Sequence, residues 1–243
     1  MLQDLAFTGC RGFAVAVKLP APAPGAFGAP PAAPPPPPAV YPRSRPALLR
    51  RVTLSENEAA LLLEDGTAAA LDSCLVTLNG AFGAYGYAAA WAYAGTVLRA
   101  VRCDFLGNRN GAVWFEGEDL IAEGCTFQDN GKSAVRTNYK QAPAALYTDP
   151  PTPQQLFGLL RLEGCRFKNN TYTAGGGLYV GKDTVAIVNG SAFVNNTADF
   201  GGGMAVAEGG WLSILANSTF ENNTANAYGG GLFIYAHGCY TLR

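Results

Sequence analysis

The sequence predicts an all-β chain: a right-handed parallel β-helix (solenoid) of about eight coils with loop insertions, open at both ends. Three observations predict it: a repeated hexapeptide, a spacing near 22 residues between copies, and short apolar runs punctuated by glycine and asparagine. The hexapeptide reads small residue, any, Phe, any, any, Asn. Its clear copies run from Cys103 to Asn108, Cys125 to Asn130, Cys165 to Asn170, Ser191 to Asn196 and Ser218 to Asn223. Weaker copies run from Val52 to Asn57 and from Cys74 to Asn79, and a fragment, Leu5 to Cys10, opens the chain.

The spacing selects the architecture. Leu54 to Val76 and Phe105 to Phe127 are each 22 residues, while Phe167 to Phe193 is 26 and Phe193 to Phe220 is 27. The longer coils carry an added turn that ends in three glycines: Gly175 to Gly177, Gly201 to Gly203, and Gly229 to Gly231. A period of this length is too short for a propeller blade and lacks both leucine-rich spacing and helical periodicity. Three short strands with tight turns fill one coil. In the coil ending at Asn130 they are expected near Ala112–Phe115, Leu120–Ala122 and Cys125–Phe127.

Side chains alternate across a strand, so the small residue and the Phe point the same way, inward. Coils about 4.8 Å apart then stack Phe105, Phe127, Phe167, Phe193 and Phe220 into a ladder beside a Cys/Ser column. Asn108, Asn130, Asn170, Asn196 and Asn223 form a second ladder at the turns. Asparagine can tolerate left-handed geometry there, and its amide can bond the Asn amide of the next coil. An ordinary β-sandwich with coincidental spacing is the rival fold, and five near-identical hexapeptides argue against it.

Phe167/Asn170 occurs with Gly175-Gly-Gly-Leu178, Phe193/Asn196 with Gly201-Gly-Gly-Met204, and Phe220/Asn223 with Gly229-Gly-Gly-Leu232. This pairing resembles the polymorphic outer-membrane protein repeats of chlamydial autotransporter passenger domains and of large algal and microbial proteins. More broadly the chain is similar to the pectin-lyase-like β-helix superfamily. The resemblance is closest over 160–235, weaker over 50–137 and absent from the proline-rich stretch. It implies a fold. Its members range from adhesins to polysaccharide lyases, so it leaves activity open.

Residues 1–18 read as a partial first coil, 19–46 as a proline-rich, disordered or polyproline-II-like loop, and 47–243 as the β-helix. Insertions are expected at about 80–95 and 138–157. Loops on solenoids tend to gather on one side, where functional surfaces lie. The first insertion holds Tyr85, Tyr87, Trp91 and Tyr93, the candidate ligand-binding residues, whose rings either stack on sugars or cover the rod. Both ends fall inside coils. The chain is therefore expected to be a fragment whose neighbouring coils belong to a longer parent.

The formal net charge is −1, with no basic stripe, so nucleic acid is not an expected partner. No apolar run is long enough for a membrane-spanning helix, and no signal peptide opens the segment. Five sequons, at Asn169, Asn189, Asn195, Asn217 and Asn222, suit an extracellular or cell-surface glycoprotein. The repeat itself generates three of them as turn chemistry. Cys74, Cys103, Cys125 and Cys165 share an inward position that Ser191 and Ser218 fill later. Free buried thiols are thus expected in preference to disulfides or a metal site.

Asp104, Asp119, Asp129, Asp183 and Asp199 are scattered along the repeat, and His237 is the single histidine. No catalytic, metal or cofactor site is therefore expected. The triple glycines lack the Lys-Ser/Thr of a phosphate loop. The expected function is a non-catalytic adhesion or structural rod that presents loops to a carbohydrate or protein. The alternatives are a polysaccharide-active lyase or glycoside hydrolase (or its non-catalytic portion) and an intracellular scaffold.

Overall fold

The computed structural model describes residues 1–11, 13–18, 46–80, 86–140 and 157–235, together with the backbone of strand Cys239–Leu242. Three parallel sheets of nine, eight and eight strands run the length of the rod. One coil visits them in turn: Val97–Val101 in the first sheet, Asp104–Leu106 in the second and Val113–Phe115 in the third. The next coil repeats the path through Asp119–Glu123, Thr126–Gln128 and Val135–Thr137. Eight coils are completed in this way.

Register follows the repeat, with Phe105 paired to Phe127, Phe127 to Phe167, Phe167 to Phe193, and Phe193 to Phe220. The rings stack with centroids 4.7 to 5.0 Å apart and planes within 11°. They fill the core together with inward residues of the other sheets such as Leu98, Leu120, Leu160 and Phe115. Phe105, Phe127, Phe167 and Phe193 are fully buried, each contributing on the order of 2 kcal/mol, and Phe220 is half-buried.

The asparagine ladder is continuous, buried from Asn57 to Asn196 and half-buried at Asn223. Asn108 donates from its backbone N and its Nδ2 to Asn130 Oδ1, both at 3.0 Å, and Nδ2 also donates to the Val76 carbonyl at 3.0 Å. Asn130 treats Asn170, and Asn170 treats Asn196, in the same manner. The left-handed residue is not the ladder asparagine, which could tolerate that geometry, but the one before it: Leu78, Gly107, Asp129, Asn169, Asn195 and Asn222. A second left-handed residue stands five positions earlier, as in Arg102/Gly107, Gly124/Asp129 and Gly190/Asn195. Each three-residue strand of the second sheet is thus bracketed by two sharp corners. The asparagine amide must keep ordinary geometry to reach the next coil, so the reversal falls to its neighbour.

Cys74, Cys103, Cys125 and Cys165 are buried free thiols in a column, and Cys10 is a half-buried one. Cys103 is pushed up to about 12 by its contact with the Cys125 thiol, with burial adding to it. The expected loops at 19–46 and 138–157 lie outside the described residues except at their edges. The described strands show where the chain leaves the stack. Two departures lie between the third and first sheets and one between the second and third, so all three border the third sheet. A small two-strand sheet, Thr197–Phe200 with Thr224–Tyr228, forms where the glycine-rich turns lengthen the corner.

Candidate functional site

The outer face of the third sheet is where aromatic and basic side chains converge. Its central outward column, read from the register, runs Leu62, Trp91, Trp114, Arg136, Tyr179, Ala205, Phe233. Except for Leu62, next to last in Ala59–Leu63, each is the middle residue of a three-residue strand whose flanking residues point into the core. Strand alternation therefore holds these side chains outward on rigid backbone.

Trp91 and Trp114 stack with centroids 5.0 Å apart and planes 9° apart. The Arg136 guanidinium covers the other side of Trp114, 4.5 Å from the ring centre. It also lies 5.0 Å from Tyr172 and 5.1 Å from Tyr179, and its Nη1 donates to Tyr172 Oη at 2.7 Å. Tyr87 stands at 90° to Trp91, 5.1 Å away, and packs on Phe13. Trp114 Nε1 donates to Glu116 Oε1 at 3.0 Å, and that carboxylate pairs with Lys140 at 2.8 Å.

Beside the tryptophans lies a cleft of about 170 Å³, lined by Gly86, Trp91, Asn110, Trp114, Lys132, Arg136 and Tyr172. It is smaller than the roughly 300–1,000 Å³ of sites that enclose whole drug-sized ligands, so it suits one ring or head group of a larger molecule. Lys132 reaches it from a turn in which both Lys132 and Ser133 take positive φ, 53° and 64°. Two consecutive non-glycine residues in that region cost about 1–2 kcal/mol each, the kind of strain that collects at functional turns. A Cβ on Gly86 would stand 3.2 Å from Lys132 Nζ, so glycine there leaves the ammonium room.

Of the four aromatics singled out from sequence, the structure brings Tyr87, Trp91 and Tyr93 together, and Tyr85 lies outside the described residues. Trp91 is not on an insertion loop: Ala90–Ala92 is a strand of the third sheet, and Tyr93 begins the following corner. Sequence reading missed Trp114, Lys132, Arg136, Tyr172 and Tyr179. The available signal was positional. Trp114 occupies the same strand position as Trp91 one coil later, and an outward position in an apolar strand needs no large ring for folding.

The sequons sit elsewhere on the coil. Asn169, Asn195 and Asn222 occupy left-handed corners after the second sheet, and Asn217 occupies the corner before it. Asn195, Asn217 and Asn222 are exposed, whereas Asn169 and Asn189 are half-buried. Asn217 Nδ2 donates to Asn189 Oδ1 at 3.2 Å.

Carboxylates gather at one place that the sequence did not flag, the corner between the third and first sheets. Burial pushes Glu118 up to about 7, with nearby Asp119 adding to it. Asp65 is raised by burial and by the neighbouring charges of Glu64 and Glu116. Among the described residues, no three His, Cys, Asp or Glu side chains converge as a metal site. No helix among them is long and apolar enough to cross a membrane. On the first sheet, Phe157, Val185 and Trp211 border a second, more apolar cleft of about 330 Å³ beside Asp183.

No curated protein and no solved structure matches the chain. The sequence model of one family, described as the right-handed β-helix region, matches residues 40–225. Those residues hold most of the coils whose sheets, Phe stack and Asn ladder are described above, and the chain belongs to the right-handed β-helix region family.

Proposed function

We propose that this β-helix is a non-catalytic recognition rod, extracellular or on the cell surface, that binds a carbohydrate on the outer face of its third sheet. One observation carries the proposal: a one-ring cleft, set on rigid strands, joins an aromatic wall to the N–H-bearing side chains of Lys132 and Arg136. Sugar sites use this combination, because a sugar ring presents C–H patches to aromatic carbons and hydroxyl oxygens to donors. Trp114 has both faces covered, so it acts as wall. Tyr87, turned across Trp91, and Tyr172 supply the remaining aromatic surface. The resemblance to polymorphic outer-membrane protein repeats and the exposed sequon asparagines support a surface setting, and glycosylation at Asn195, Asn217 and Asn222 belongs to the same proposal. A protein ligand on the same face is the nearest variant.

A second reading has a specific observation behind it. Glu118, raised to about 7, is a carboxylic acid of the kind that donates a proton in glycoside cleavage. A polysaccharide-active enzyme would release reducing or unsaturated ends, and Glu118→Gln would abolish that release.

Glycan-array binding of the full chain, compared with Trp91→Ala and Tyr87→Ala variants of unchanged circular dichroism, tests the first reading. Binding that both variants weaken supports it. Silence from a well-folded protein overturns the carbohydrate version.

A further inference from the structure

The aromatic character of the third sheet does not end at the cleft. Toward the C-terminal coils its outward column continues through Tyr179, Ala205 and Phe233. Phe233 packs on Phe200 at 5.4 Å and on Tyr235 at 4.8 Å, and Tyr228, 65% exposed, stacks beside it at 6.2 Å. None of these rings lines the cleft beside Trp91, and none belongs to the core. From Trp114 onward, rings in the column recur on alternate coils, at Trp114, Tyr179 and Phe233. The Arg136 guanidinium stands between the first two, 4.5 Å from the Trp114 ring centre and 5.1 Å from that of Tyr179. Between Tyr179 and Phe233 the column drops to the buried methyl group of Ala205.

The spacing of these rings selects a ligand. Coils stack about 4.8 Å apart, so rings on alternate coils recur about every 9.6 Å. A polyproline-II helix rises about 3.1 Å per residue and repeats its face every three residues, about 9.3 Å. Over the four coils from Trp114 to Phe233, two such turns drift out of register by only about 0.6 Å. An α-helix laid one turn per coil would slip by about 2.4 Å over the same distance, and an extended strand repeats its face about every 6.7 Å. Proline-rich segments dock on aromatic-lined surfaces because their backbone is already ordered and their pyrrolidine rings stand in rows. Their carbonyls remain open to donors. Tyr172 Oη accepts from Arg136 Nη1 at 2.7 Å, which leaves the phenolic proton to donate outward.

Charge adds a second property. The corner bordering this sheet near Trp114 holds Glu64, Asp65, Glu116 and Glu118. Lys18 pairs with Glu64 at 2.6 Å and Lys140 with Glu116 at 2.8 Å, while Asp65 feels the like charges of Glu64 and Glu116. The corner therefore attracts a basic flank on whatever lies along the rings. We infer that the outer face of the third sheet docks a proline-rich segment of a partner polypeptide in the polyproline-II conformation. Its prolines lie along Trp114, Tyr179 and Phe233, and a basic residue at one end faces the Asp65–Glu116 corner. Tyr179 and Phe233 lie outside the cleft, so the inference does not depend on the carbohydrate reading. The rival occupant is the chain's own proline-rich stretch, 19–46. It is anchored at Phe13–Val17, seven strands from Phe233 in the same sheet, about 34 Å away. Running out and back would use about three quarters of the fully extended reach of residues 19–45, which favours a separate chain.

The test is calorimetric titration of the full chain with three synthetic peptides. They are an oligoproline flanked at both ends by arginine, the same peptide with alternate prolines changed to glycine, and the oligoproline flanked by glutamate. The expected result is binding of the first, with the glycine-containing peptide at least tenfold weaker because its backbone is no longer pre-ordered. The glutamate-flanked peptide should bind several-fold more weakly, by a margin that shrinks as salt rises. Phe233→Ala and Tyr179→Ala, each with unchanged circular dichroism, should each lower affinity roughly fivefold. Phe233→Ala should leave any glycan-array signal as it was. Equal binding of the proline and glycine peptides overturns the inference, as does binding indifferent to both substitutions. Binding that appears only when residues 20–44 are replaced by a short Gly-Ser linker also overturns it, and gives the face to the chain's own stretch. Silence from both forms of the folded protein removes the docking surface altogether.

Discussion

Trp91 and Trp114, 23 positions apart in sequence, lie face to face on successive coils, and Arg136 of the next coil closes the stack at 4.5 Å. Ring–ring and cation–ring contacts of this kind contribute about 0.5–1.5 kcal/mol each. A double-mutant cycle with Trp114→Ala and Arg136→Ala should therefore give a coupling of about 1 kcal/mol in urea melts. Additive losses would mean that the guanidinium is held by Tyr172 and Tyr179 alone.

The Asn ladder predicts a larger effect. Asn130 Oδ1 accepts two bonds from Asn108, and its Nδ2 donates to the Phe105 carbonyl at 2.9 Å and to Asn170 Oδ1 at 3.1 Å. Asn130→Ala strands these buried groups and should cost about 2–4 kcal/mol. Asn130→Asp keeps the acceptor but buries a charge, so its deficit should grow as pH rises through the carboxylate range. Equilibrium unfolding at two pH values checks both.

Two glycines separate backbone strain from crowding. Gly164 has φ +60° and open space around a would-be Cβ, so Gly164→Ala should cost only the left-handed penalty, about 1 kcal/mol. At Gly177 a Cβ would stand 2.7 Å from the Gly203 carbonyl oxygen and 3.0 Å from Phe193 Cδ1, all of it packed core. Gly177→Ala must push coils apart and should cost more, about 2–3 kcal/mol. Thermal melts that rank the two the other way would contradict this account of the triple glycines.

Glu118 links the fold to pH. Its pKa is raised in the folded chain, to about 7 from an ordinary 4.5, so between those values the folded state binds the extra proton. Stability from this group is present below pH 4.5 and is lost as pH rises toward and through 7, a change on the order of 1–3 kcal/mol. Glu118→Gln should flatten that part of the pH–stability curve. An unchanged slope would mean that the carboxyl is solvated when charged.

Much of this was legible in the residues because the repeat writes each inward position several times. The small residue, the Phe and the Asn recur at the same place in coil after coil, and alternation sends the first two inward. The ladder asparagine was located, but its conformation was not. Sequence preference permits a left-handed asparagine, whereas the amide bond to the next coil requires ordinary geometry and moves the reversal one residue back, to Asp129 or Asn169.

The sequence by itself determined the period, the three-strand coil and the buried ladders, because burial imposes the same demand on every coil. Only the tertiary structure decided that Trp91, Trp114, Arg136 and Tyr172 share one cleft and that Glu118 is buried beside Asp119. Outward positions are free of that demand and do not repeat. Which of them become neighbours depends on strand register across turns of unequal length, and register is set by the stacked core beneath them.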